Sequence, residues 1–279
     1  MLSCKQHTAC SRLYRKTGRV KLHDIYRVYL GKCRGQDIWI IDGARVVRKL
    51  YPAFVAGGND QRYRFNPENE VWIDNRMGVE EFAYTLEHEF IERKLMRERG
   101  WSYDRAHAQG GLELEKGLRQ RQRRRVALKE RNTPAMPVGE RESPPDKKGR
   151  TVSLDGVYRH YFGKRYGLDI WVVDGTKVRG DIYGDFCFAG HDLKYRFVPK
   201  GEIWLDAAMS VEEAWFSLIH EASERKLMAR GKTYDDAYPA GLVTQLNERE
   251  HQENLARDHE EQLPPVRYGT RERGAKKKK

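Results

Sequence analysis

The chain has 279 residues, 39% hydrophobic and 34% charged, with a formal net charge of +12. Its mean hydropathy of -0.85 argues against one large apolar core, and no run approaches the ~20 apolar residues of a membrane span. The positive excess favours anionic partners, nucleic acid or acidic protein.

Residues 1–21 form a basic N-terminal segment without the apolar stretch of a signal peptide. No repeated framework relates Cys4, Cys10, Cys33 and Cys187, which suits a reducing, cytoplasmic compartment. Cys4-x-x-His7-x-x-Cys10 holds three zinc-competent side chains, but no fourth follows at finger-like spacing.

Residues 22–130 read as a first α+β unit. YRVYLGK, from Tyr26, alternates as an edge strand does. QDIWIIDGARVV is a pair of apolar runs broken by Asp42-Gly43, a hairpin signal. RYRFNPENEVWID predicts a second strand pair around the turn at Pro67. The period then changes: Val79, Phe82, Ala83, Leu86 and Phe90 recur at helical spacing. A second helix is expected from Ser102, after Gly100, as far as Glu130. Residues 131–151 are basic and Pro-rich and predict a flexible linker.

Residues 152–251 repeat the first unit. Tyr26 and Tyr158, Trp39 and Trp171, Asp42 and Asp174, Tyr63 and Tyr195, Trp72 and Trp204, His88 and His220, and Met96 and Met228 all stand 132 residues apart. Roughly half the positions in that gapless span are identical. A period this long, present twice, means two copies of one small domain and not a solenoid. The second copy opens its first helix with the capping box Ser210-Val-Glu-Glu213, and its second helix is expected near Thr233. The predicted fold is thus α+β, a tandem duplication in which each unit is a small antiparallel sheet followed by two helices. The four strand tryptophans read as core, with Trp39 and Trp171 able to stack on a base if exposed. Residues 252–279 are polar, end in RERGAKKKK, and predict a basic disordered tail.

Chemistry concentrates in His88-Glu89-Phe90-Ile91-Glu92. His88 and Glu92, four residues apart, share one helix face and can grip one ion. Glu89 points about 100° away around the axis. His107, at the start of the second helix, offers a third ligand and completes a two-His, one-carboxylate set with an open position for water. Glu113 or Glu115 can substitute, or orient a ligand by hydrogen bonding. The second copy keeps His220, Glu221 and Glu224 but has Tyr238 where His107 stands, and a tyrosine, with its pKa near 10, is a poor ligand. His191, opposite Asn59 of the first copy, is a loop candidate to compensate. The second site is therefore expected to be degenerate. The competing reading of both motifs is ion pairing along a solvated helix, Glu89 or Glu92 with Arg93 or Lys94.

The stretch from Glu70 to Glu115, and less fully Glu202 to Asn247, resembles minimal zincin-type metallopeptidases, in which a strand precedes the motif helix as EVWID and EIWLD do here. The departure is HExxE in place of HExxH. The run HE…ER.LM…G.SY..AH also resembles small uncharacterised proteins of phages and mobile elements. The zincin resemblance implies a bound divalent metal, zinc, with Glu89 as general base to an activated water, and hydrolysis of an amide or similar bond. The alternative expectation is a non-enzymatic nucleic-acid-binding or structural protein. It rests on Arg119, Arg121, Arg123, Arg124 and Arg125 and on Lys276 to Lys279, runs that contact phosphate without sequence preference.

Overall fold

The computed structural model describes residues 18–142 and 149–271. Most of the N-terminal segment, including the Cys4/His7/Cys10 trio, and Lys276 to Lys279 lie outside the described residues. Two compact units are present. Among the described residues, unit 1 takes 18–77, 82–117 and 252–271, and unit 2 takes 78–81, 118–142 and 149–251.

The first copy runs β1 (Arg19–Val20), β2 (Tyr26–Cys33), β3 (Gln36–Ile41), α1 (Gly43–Lys49), β4 (Gly57–Asn59), β5 (Glu70–Asp74) and α2 (Val79–Arg99). Next come α3 (Tyr103–Ala106), a π-helical segment (His107–Gly111), α4 (Leu112–Asn132) and β6 (Met136–Pro137). The second copy repeats this as β7 (Thr151–Val152), β8 (Tyr158–Arg165), β9 (Leu168–Val173), α5 (Gly175–Lys177) with a π-helical continuation (Val178–Ile182), β10 (Ala189–His191), β11 (Glu202–Asp206), α6 (Val211–Met228), α7 (Tyr234–Gln262) and β12 (Val266–Arg267). The chain is an α+β tandem duplication.

Each unit has one four-stranded sheet, ordered β2-β3-β5-β4 and β8-β9-β11-β10, beside the two-stranded pairs β1-β12 and β6-β7. The expected antiparallel sheet is corrected to a mixed one: β3 pairs β5 in parallel, with Trp39 beside Trp72, and β9 pairs β11 likewise, with Trp171 beside Trp204. The cause is the Asp-Gly dipeptide, which starts a helix and not a hairpin. The Asp42 carboxylate accepts from Arg45 N at 2.9 Å and caps α1, as Asp174 accepts from Lys177 N at 3.0 Å. The glycine that follows is a packing requirement, since a Cβ on Gly43 would meet the Asp74 carboxylate at 2.0 Å and one on Gly175 that of Asp206 at 1.9 Å. The crossover returns the chain alongside β3 instead of folding it straight back. The antiparallel neighbour of β5 is accordingly β4, not the RYRF segment, which among the described residues contributes only an isolated bridge from Tyr63.

The expected disordered tail is also corrected over 252–271. Residues 252–262 complete α7 and cover the unit 1 sheet, and β12 pairs with β1. Ala256 enters the core beside Tyr26, Trp39 and Trp72. Gln252 Oε1 accepts from Tyr29 N at 2.7 Å, and Glu260 accepts from the backbone N–H of Asp24, Ile25 and Tyr26 at 2.8, 2.7 and 3.0 Å. Composition missed this because the residues that pack on the core, Leu255, Ala256, Leu263, Val266 and Tyr268, are scattered among charged ones. Unit 2 has the same cover from the first copy's helix: Gln122 accepts from Tyr161 N at 3.3 Å and Glu130 from Gly156 N at 2.9 Å. The expected 131–151 linker thus contains β6, paired with β7, in its described part.

Candidate metal centre

α2 buries an unusual turn. His88, Glu89, Glu92 and Arg93 are all buried, whereas Phe82, Ala83 and Leu86 of the expected apolar stripe are only partly so. Two buried carboxylates side by side demand compensation. It does not come from Arg93 or Lys94. Arg93 ion-pairs with Asp60 and donates to Asn69 Oδ1 at 2.8 Å, and Lys94 is exposed. The helix-surface reading of the motif therefore fails for unit 1.

His107, on the π-helical segment, closes over α2 instead. His88 Nε2 lies 2.9 Å from His107 Nδ1, His107 Nδ1 lies 3.2 Å from Glu92 Oε2, and His88 Nε2 lies 3.7 Å from the same oxygen. A point about 2.05 Å from all three atoms sits roughly 0.7 Å above their plane, which is about where a tetrahedral ion stands above three of its four ligands. The fourth direction points away from the triangle. Residues His88, Glu92 and His107 can thus hold one metal ion.

His88 Nδ1 lies 3.4 Å from Glu115 Oε2, a carboxylate placed as those that orient metal-binding histidines are, on the ring nitrogen away from the ion. Glu115 has the place of an orienting carboxylate. Glu113 does not: it is exposed and paired with Lys116 at 2.6 Å. Burial lowers the His88 pKa, but Glu92, Glu89 and Glu115 outweigh it and leave it raised. Burial works to raise Glu92, yet hydrogen bonds from His107, His88 and Asn59 hold it below the usual carboxylate range. Burial, then the negative charge of Glu92, push Glu89 up to about 8.

Sequence reasoning missed Asn59. From β4 its amide Nδ2 donates to Glu89 Oε2 at 2.8 Å and to Glu92 Oε1 at 2.9 Å, clamping both carboxylates. Its Oδ1 accepts from Gln61 N and Arg62 N at 3.1 and 3.2 Å. Two glycines let neighbouring backbone come close: a Cβ on Gly57 would meet the Glu89 side chain at 3.3 Å, and one on Gly111 the His88 ring at 2.4 Å.

Unit 2 arranges the same motif differently. His220 Nε2 lies 3.2 Å from Glu224 Oε2 and His191 Nε2 lies 3.0 Å from Glu224 Oε1, with Glu221 close by. His191 does not replace the missing ligand; it replaces Asn59. Its Nδ1 accepts from Leu193 N and Lys194 N, both at 3.2 Å, matching the bonds to Asn59 Oδ1. With Nδ1 held as acceptor, the neutral ring carries its proton on Nε2 and donates to Glu224, so that atom has no lone pair for an ion. Tyr238 meets the His220 ring edge-on at 5.3 Å, and His220 Nδ1 has no hydrogen-bond partner. Although His191, Glu221 and Glu224 cluster tightly enough for a metal, their bonding is that of a closed polar core.

The helices explain the difference. Tyr103 and Tyr234 stand 131 residues apart, but Gln122 and Gln252, and Glu130 and Glu260, stand 130 apart. The first copy's extra residue is absorbed by the π-helical segment His107–Gly111, a feature frequent at functional sites. The second copy runs through this region as α-helix, with Pro239 inside α7.

The basic run divides. Arg119 ion-pairs with Glu81 and Arg125 stacks over Tyr161 at 4.6 Å, while Arg121, Arg123, Arg124 and Arg125 are exposed. Trp39 and Trp171 are buried and closed to bases. Cys33 and Cys187 are exposed free thiols. Among the described residues no helix is long and apolar enough to cross a membrane. No protein-family model, curated protein or solved structure matches this chain.

Proposed function

We propose that unit 1 is a metal-dependent hydrolase of the peptidase type, holding one divalent ion, zinc by its ligand chemistry, through His88 Nε2, Glu92 Oε2 and His107 Nδ1. The observation that carries this reading is the triangle of donor atoms, sized for one tetrahedral ion. When bound, the ion supplies Lewis acidity and lowers the pKa of water. Glu89 is buried beside the site and tied by Asn59 to the ligand Glu92. Its raised pKa suits a group that takes a proton from water and returns it to a leaving group. Glu115 fixes the His88 ring. Unit 2, with Tyr238 and the His191 clamp, is inactive.

Elemental analysis of the purified protein tests this directly. One metal per chain is expected, lost in His88→Ala, kept in His220→Ala, and kept in Glu89→Gln while hydrolysis stops. Metal-free protein refutes the proposal. The second reading, nucleic-acid binding, is favoured by the exposed Arg121, Arg123 and Arg124. Replacing Arg123, Arg124 and Arg125 by Gln then weakens binding equally for unrelated sequences and flattens its salt dependence by about 0.9 per lost phosphate contact.

A further inference from the structure

We infer that Arg62 is the anion-recognising residue of the unit 1 site, so that the substrate carries a carboxylate or phosphate group next to the bond attacked. This takes the site proposed above as the place where substrate binds.

The position of Arg62 is tied to that site. Its backbone N–H donates to Asn59 Oδ1, on the same side chain that clamps Glu89 and Glu92. Its guanidinium lies 3.5 Å from the centre of the Tyr103 ring, and Tyr103 in turn stacks on His107 at 5.3 Å. Glu89 and Tyr103 both feel its charge.

Among the described residues no carboxylate pairs with it. Arg34 pairs with Glu87, Arg76 with Asp74, Arg93 with Asp60 and Arg119 with Glu81. Among the described residues the Arg62 guanidinium has no carboxylate or other hydrogen-bond acceptor, and its Nε is buried without a partner. A buried donor left unsatisfied is unfavourable, so the site is short of an acceptor. Stacking on Tyr103 uses the face of the guanidinium and leaves its N–H edge, the part that grips a carboxylate or phosphate with two parallel bonds.

The second copy supplies the contrast. Lys194 stands in this position and spends its ammonium on Tyr234 Oη at 2.8 Å. The cation is satisfied internally in the copy that lacks the third ligand, and left open in the copy that has it.

Calorimetric titration with inorganic phosphate, and separately with acetate, tests the inference on wild-type protein, Arg62→Gln and Arg62→Lys, with metal content measured on the same samples. One anion per chain is expected for wild type, at least 10-fold weaker in Arg62→Gln and intermediate in Arg62→Lys, which keeps the charge but loses the fork. Tighter phosphate marks a phosphorylated substrate, and tighter acetate a carboxylate. Equal binding by wild type and both variants, or no anion binding with metal in place, overturns the inference. If no metal is found yet the anion binds in an Arg62-dependent manner, the hydrolase proposal falls and the anion site stands. Should Arg62→Gln not fold, the loss in Arg62→Lys decides alone.

Discussion

Gly111→Ala is a sharp perturbation of the centre, because the repeat carries its own control. A methyl group at Gly111 would lie 2.4 Å from both Cε1 and Nε2 of His88, against 3.4 Å or more for ordinary contact. Ring or helix must therefore retreat by about 1 Å, several times the roughly 0.2 Å tolerance of a metal–ligand bond. Misplacing one of three ligands should weaken metal binding at least about 100-fold, beyond the 10–100-fold typical of losing an orienting partner. On stability, overpacking costs about 1–3 kcal/mol and alanine returns about 1 kcal/mol of helix propensity, so a net loss of up to about 2 kcal/mol is expected. At Gly241, the matching position, the methyl group would meet His220 at 3.1 Å, so a shift of a few tenths of an ångström suffices. Gly241→Ala should then be neutral or stabilising by up to about 1 kcal/mol, with metal content unchanged. Chelator competition reads the affinity and thermal denaturation the stability. Wild-type metal affinity in Gly111→Ala, or equal melting shifts in the two variants, would refute the reasoning.

Asn59→Ala removes the clamp on Glu89 and Glu92, and metal affinity should fall about 10–100-fold; unchanged affinity by chelator competition means the carboxylates need no clamp. The buried His160 has its pKa lowered to about 4, first by burial and with Arg119 and Arg125 adding to it. The unfolded chain therefore binds a proton near pH 6.5 that the folded chain refuses, and stability should drop by up to about 3 kcal/mol as pH falls from about 6.5 to 4. His160→Val, which installs the first copy's buried Val28, should flatten that slope in pH-dependent melts, and a slope that persists assigns it elsewhere. Glu260→Ala strips the acceptor from three backbone N–H groups and should cost about 3 kcal/mol or more. Glu130→Ala, with a single such bond shown, should cost less, and equal melting temperatures would contradict the assigned role of the cover.

The duplication, the motif helices and the spacing of His88, Glu92 and His107 were legible because they depend on local spacing: a constant offset, a four-residue step, and a histidine one short connection downstream. Only the tertiary structure decided the rest. Asp-Gly serves a hairpin or a helix cap equally well, and the close approach of Asp74 to Gly43 selects the cap. The segment after Gln252 scatters its apolar residues among charged ones and so announces no docking face, yet unit 1 offers it a core surface and backbone donors 223 and more positions away. Asn59 and His191 were visible as partners in the alignment, but their equivalence was not. An amide and an imidazole present two polar atoms at similar spacing, and the paired backbone N–H groups that fix one atom as acceptor exist only once the loop is folded. The extra residue in the first copy was countable from the sequence. That it becomes a π-helical turn beneath His107, and so carries this imidazole to His88 and Glu92, follows from anchors on both sides: α2 before it, and the pairing of Arg119 with Glu81 after it.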